Sequence, residues 1–285
     1  MFGGFMLFST MLLGGVMATA EARPSEVAWR YAGQIPGATD IAVCQNGLVY
    51  ATVPSGTKTN LVRTNQVPHL YDVTSTTFDE GTTATHISCG TDYAGYARLT
   101  LQDAQDRIYA QQMNTSYGVS FRGLPFQHVG TSPTADDVKA LGYSQVLVHT
   151  DDRYDYRGSV GTGSWLTYSY LGDVWGAAEV AATGGSTEVA AAINDDDRMW
   201  VNFSGGSLNL DAQWEPLVSS RADVPRLAVD LEAARYQAGS TVRLYALLPG
   251  GAVWIGVVCQ GYPESTSPGA IEPIRLACEP DIERA

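Results

Sequence analysis

The strongest constraint in this sequence is a hairpin pattern that returns at a nearly constant interval. Asp-Arg pairs begin at positions 106, 152 and 197, which are 46 and 45 residues apart. Each follows a run of strand-forming residues and a short polar turn, and leads into a second strand carrying an aromatic. Tyr96 to Leu101 passes through Asp103-Ala104-Gln105 to Asp106-Arg107-Ile108-Tyr109. Ser144 to His149 leads to Asp151-Asp152-Arg153-Tyr154-Asp155-Tyr156, and Thr187 to Ile193 passes through Asn194-Asp195-Asp196 to Asp197-Arg198-Met199-Trp200. Two further hairpins turn at Gln45-Asn46-Gly47 and Pro249-Gly250-Gly251. Asn-Gly and Gly-Gly accept the positive φ that tight turns need. Regular self-similarity of this length marks a repeat architecture.

Short apolar segments, suited to crowded innermost strands, centre on Ile41, Ile87, Val138, Val180 and Val229, at spacings of 46, 51, 42 and 49 residues. The later hairpins are followed by outer segments such as Trp165 to Gly172 and Trp214 to Val218. In the first unit the register shifts: Asp40 to Cys44 is the inner strand, Leu48 to Val53 the second, and the third is expected near Leu70 to Val73. Four strands per unit of this size is a propeller blade. The expectation is an all-β, five-bladed β-propeller, with blades near 38–80, 84–127, 136–172, 177–220 and 225–279. Trp29 to Gly37 reads as an outer strand standing before the first blade. Residues 27–35 are therefore expected to complete the last blade and close the ring, which removes open edges.

Ahead of this domain, Phe2 to Met17 is apolar apart from glycines, Ser9 and Thr10, and Ala18-Thr19-Ala20 follows. This reads as a signal peptide over 1–22 cleaved after Ala20 or Ala22, although no Lys or Arg precedes the apolar run. The mature domain is 23–285, and a secreted, extracellular or periplasmic location follows without membrane insertion after cleavage. The chain has four cysteines, and an even count behind a leader suggests two disulfides. Cys44 and Cys89 stand one period apart at matching ends of neighbouring inner strands, so Cys44–Cys89 and Cys259–Cys278 are the expected pairs. The net charge of -13 repels phosphate backbones and anionic bilayers, which argues against nucleic acid as a partner.

Trp29, Ile35-Pro36-Gly37, Asp40-Ile41-Ala42-Val43, Asn46-Gly47 and Val49-Tyr50 together resemble a tectonin-type repeat, similar to the loose repeats of bacterial and fungal lectin propellers. The resemblance covers most of the chain as architecture and the first blade as a motif. It implies recognition of glycans or cell-surface glycoconjugates.

Catalytic signatures such as HExxH, a P-loop, GxSxG or GxGxxG are missing from the sequence. His69, His86, His128 and His149 are scattered and read as core or loop residues. The turn at Asp195, Asp196 and Asp197 is oxygen-rich and a candidate for calcium, or simply a solvated hairpin. The repeated Asp-Arg has two readings. Arg107, Arg153 and Arg198 beside Tyr109, Tyr156 and Trp200 could bind sugars, because a guanidinium offers a fork of donors and an aromatic face packs on a pyranose. Alternatively the pair caps the turn and bridges blades. A secreted carbohydrate-binding propeller with repeated weak sites is the leading expectation. An extracellular hydrolase or lyase and a structural or protein-interaction propeller are the rivals.

Overall fold

In the computed structural model the described residues are 25–44, 48–65, 71–78, 82–91, 97–113, 127–131, 135–142, 145–150, 154–160, 165–173, 177–183, 189–203, 210–211, 214–235 and 242–259. They are almost entirely β. The turns explain where strands begin and end. Asp106 and Asp197 have φ of +58° and +63°, and each donates its N–H to the carbonyl three residues back, Asp103 at 3.0 Å and Asn194 at 2.9 Å. Gly251, at φ +85°, does the same toward Leu248. Asp tolerates the left-handed region better than most residues. In these two hairpins the Asp of the repeated Asp-Arg thus fills a turn requirement.

The strands form antiparallel groups of four. The first comprises β2 (Asp40–Val43), β3 (Leu48–Ser55), β4 (Lys58–Asn65) and β5 (Tyr71–Phe78). Next come β6 (Ala84–Thr91), β7 (Ala97–Asp103), β8 (Arg107–Met113) and β9 (Gln127–Thr131). The third has β10 (Ala135–Gly142), β11 (Gln145–Thr150), β12 (Tyr154–Val160) and β13 (Trp165–Asp173). The fourth has β14 (Ala177–Thr183), β15 (Val189–Asn194), β16 (Met199–Phe203) and β17 (Glu215–Ser219). The last is β18 (Asp230–Arg235), β19 (Val242–Leu248), β20 (Ala252–Cys259) and the N-terminal β1 (Ser25–Gln34). β1 pairs antiparallel with β20 from Glu26↔Cys259 to Gln34↔Ala252. It also pairs parallel with β17 over Ser25–Val27, which joins the last two groups into one eight-stranded sheet. Trp29 fastens this junction, its N–H on Ser220 Oγ at 2.9 Å and its indole N–H on Ser219 Oγ at 3.0 Å.

The first strands pack in a cycle: β2 on β6, β6 on β10, β10 on β14, β14 on β18, and β18 back on β2. Among the described residues, apolar cores lie between the last and first, first and second, third and fourth, and fourth and fifth groups. Alternation sends Ile41 and Val43 toward Tyr245, Leu247 and Val253 of the last group, and Ala42 and Cys44 toward Ile87, Leu99 and Leu101 of the second. Leu147, Val180 and Ala190 lie between the third and fourth groups, and Met199, Leu217, Leu231 and Leu244 between the fourth and fifth. Burial on both faces explains why these strands read as continuous apolar runs. Each fully buried side chain of this size contributes about 1.5–3 kcal/mol.

Cys44 and Cys89 form a disulfide between β2's end and β6, with Cα atoms 5.1 Å apart. Cys278 and the side chain of Cys259 lie outside the described residues, as does the leader. No helix among the described residues is long and apolar enough to cross a membrane.

Two expectations are corrected. The third strand of the first group is Lys58–Asn65, reached by a turn at Gly56 (φ +65°), and Tyr71–Phe78 is the fourth. Its polar composition hid it. Residues Asp223–Leu227 form a short helix, α1, and the inner strand starts at Asp230, so Val229 is exposed before it. That strand carries Asp230 and Glu232 buried, which an apolar-run criterion passes over.

These charges are matched at the centre of the cycle. The buried Lys139 ammonium on β10 donates to Asp230 and lies 3.5 Å from Glu232. Asp230 also accepts the Ile41 N–H at 2.7 Å. Asp40 accepts the Ile87 N–H at 3.1 Å and meets His86 Nδ1 at 3.0 Å. Burial opposes ionisation of Asp230, yet the Lys139 charge and hydrogen bonds with Asp40, Lys139 and the Ile41 N–H hold it below the ordinary carboxylate value.

Candidate functional site

The turn equivalence aligns Arg107 and Tyr109 on β8 with Arg198, just before β16, and Trp200 on it, and with Ala252 and Trp254 on β20, yet their surroundings differ. Arg107 is tied down: its Nε donates to Asp103 Oδ2 at 2.7 Å, Nη2 reaches Gln105 Oε1 at 3.2 Å, and its side chain is 39% exposed. The buried Asp103 also accepts the N–H groups of Gln105 and Arg107. Tyr109 is buried, edge-on to Phe78 at 5.3 Å, with the Arg107 guanidinium 5.8 Å from its ring centre.

Arg198 stands differently. The residue matching Asp103 is Asn194, so Arg198 pairs instead with the exposed Asp196 at 3.2 Å and its side chain is 75% exposed. Exposed pairs of this kind contribute little, about 0–1 kcal/mol. Trp200 is half-buried opposite Pro216 of β17, and its indole N–H finds no hydrogen-bond acceptor among the described residues. Both side chains line an open cleft of about 690 Å³ between the end of the β16–β17 pair and α1, with Pro216, Val218, Asp223 and Arg226 also contributing. Pockets of about 300–1,000 Å³ are typical of small-molecule sites. Arg153 lies outside the described residues, and only the backbone of Tyr156 is described, in β12. The repeated set therefore gives one tied arginine beside a buried tyrosine and one exposed arginine beside a half-buried tryptophan.

The acidic turn at Asp195, Asp196 and Asp197 is exposed. Asp197 supplies the left-handed residue and Asp196 the partner of Arg198. No group of three His, Cys, Asp or Glu side chains among the described residues is placed to hold a metal. Asn202, which opens the glycosylation sequon Asn202-Phe203-Ser204, is buried.

Sequence reasoning missed Arg221 and Asp223. Arg221, just after β17, lays its guanidinium 4.4 Å from the centre of the Trp254 ring. Asp223 grips it with both oxygens, Nε–Oδ1 at 3.0 Å and Nη2–Oδ2 at 2.8 Å, and this hydrogen bonding holds the Asp223 carboxyl below its ordinary value. Tyr31 of β1 meets Trp254 edge-on at 5.7 Å. The only sequence signal was Trp254 itself, in register with Tyr109 and Trp200. Its arginine comes from the preceding group.

No protein-family model matches the chain, and no curated protein is similar to it. Among solved structures, the crystal structure of AofleA from Arthrobotrys oligospora is similar with a TM-score of 0.43 and 10% identity, over 87% of this chain and 92% of that one. A triple arginine-to-alanine mutant of AofleA gives 0.43 and 8%, over 86% and 92%.

Proposed function

We propose that the chain is a secreted five-bladed β-propeller that binds carbohydrate non-catalytically at repeated weak sites. The five antiparallel groups, their cyclic inner packing and the cores shared between neighbours support the propeller reading. β1 would act as the closing strand of the fifth blade. The apolar leader and the Cys44–Cys89 bond support export. The observation that carries the binding reading is the cleft at Arg198 and Trp200. There an exposed guanidinium, held among the described residues by the exposed Asp196 alone, shares a cleft with the half-buried Trp200 and the apolar Pro216 and Val218. Sugar hydroxyls supply acceptors, and the C–H face of a pyranose suits the apolar wall.

The test is a glycan-array screen of the mature protein, followed by calorimetry with the best ligand on wild type and Arg198→Ala. Binding that weakens severalfold in the variant, with an unchanged thermal midpoint, supports the reading. No binding to any glycan overturns it.

A further inference from the structure

The Arg221 guanidinium lies 4.4 Å from the centre of the Trp254 ring while Asp223 takes two of its N–H groups. A guanidinium carries five N–H donors, so three remain, on a side chain 43% exposed to solvent. Tyr31, edge-on to the same Trp254 ring at 5.7 Å, is 49% exposed.

The comparable place between the first two groups is sealed. There Phe78, at the end of β5, meets Tyr109, and both rings are buried. Between the fourth and fifth groups Arg221, two residues past the outer strand β17, meets Trp254 instead, and its side chain is partly exposed. Asp223 connects this place to the cleft of Arg198 and Trp200, since it lines that cleft and also fixes Arg221.

We propose that Arg221 and Tyr31, supported by Trp254 and positioned by Asp223, form a second binding site continuous with the cleft, and that the ligand spanning both is a neutral oligosaccharide of two or more units. This rests on the carbohydrate reading and deepens it. The cleft of about 690 Å³ is larger than one monosaccharide fills. The spare donors of Arg221 suit a pair of neighbouring hydroxyl oxygens, and Tyr31 offers the apolar face for the sugar ring. Neutrality follows from charge: Asp223 already balances Arg221, so the site does not call for an anion, and the net charge of -13 disfavours one. Two linked subsites also bind more tightly than one, because the second contact is intramolecular.

The experiment is calorimetry of the full mature chain with cello-, manno- and chito-oligosaccharides of one to four units, and with oligogalacturonides as the anionic comparator. Wild type, Tyr31→Ala and Arg221→Lys are compared, with thermal midpoints recorded. The expected result is a gain of about tenfold or more between one and three units of a neutral series. That gain disappears in both variants, while monosaccharide affinity at the Arg198–Trp200 cleft is unchanged. Lysine keeps the charge but loses the fork and the stacking plane. If Arg221→Lys is unfolded, Tyr31→Ala alone decides, since its side chain is half in solvent. A length gain that survives in Tyr31→Ala overturns the second site. Tighter binding of the anionic series overturns the neutral class, and both results leave the cleft standing. Failure of every sugar overturns the carbohydrate reading together with this one.

Discussion

Asp230 accepts the main-chain N–H of Ile41 at 2.7 Å, a bond between the first strands of the last and first groups. One residue before Ile41, Asp40 repeats the contact toward Ile87 at 3.1 Å in the second group. Lys139 brings in the third group by donating to Asp230. Four of the five groups are thereby joined by one hydrogen-bonded chain across the centre. Lys139→Met removes the cation but leaves Asp230 and Glu232 buried. The expected loss is about 3–5 kcal/mol, read as a lowered urea midpoint with unchanged slope.

Acid dependence follows from the same cluster. The carboxyl of Asp230 ionises at lower pH in the fold than in the unfolded chain, where about 3.9 is usual. Its stabilising contribution is complete above the unfolded value and is lost as pH falls through the folded one. Wild-type stability should therefore drop below about pH 4. In Lys139→Met the buried carboxylate is already penalised at neutral pH, and protonation relieves it. The stability difference between the two proteins should shrink as pH falls from about 7 to about 3. A constant difference across that range would assign the lysine a packing role only.

The Cys44–Cys89 bond closes a separation of 45 residues between two neighbouring first strands. A loop of this size is expected to contribute about 4 kcal/mol through the unfolded state. The double variant Cys44→Ser/Cys89→Ser should lose about 2–4 kcal/mol in urea unfolding and keep its β circular dichroism. Non-reducing peptide mapping should recover the two cysteines in one linked fragment.

The hairpins were legible because their turns obey local chemistry. Asp106, Asp197 and Gly251 occupy the left-handed position that few residues tolerate. The two-faced burial of first strands was legible in runs such as Val189–Ile193. Strand Lys58–Asn65 was not, since its polar residues show no apolar run. The strand beginning at Asp230 is centred too early, on Val229, by an apolar-run reading, because Glu232 looks unfit for a core. Their partner, Lys139, is 91 residues from Asp230 in sequence and is brought there only by the cycle of groups. Arg221 escaped for a similar reason. It acts on Trp254 of the next group, so no motif within one repeat could contain it.

The twin arginines should separate stability from binding. Arg107 is bonded to a fully buried Asp103, and Arg107→Ala leaves that carboxylate's Oδ2 without its charged donor. The expected cost is about 1–3 kcal/mol, seen as a lower thermal midpoint. Arg198 meets only the exposed Asp196 among the described residues. Arg198→Ala should change stability by no more than about 0.5 kcal/mol. Its effect should fall on sugar affinity instead, measured on a ligand found by the array, with a severalfold loss because the guanidinium faces the cleft. Both variants are made in the full mature chain and compared in one buffer. If Arg198→Ala lowers the midpoint as much as Arg107→Ala does, and wild type binds no sugar, the repeated Arg is a structural clasp in both groups. If Arg198→Ala loses affinity at an unchanged midpoint, one repeat position has been divided between two tasks. The deciding difference is then a single residue four places earlier, Asp103 in one hairpin and Asn194 in the other.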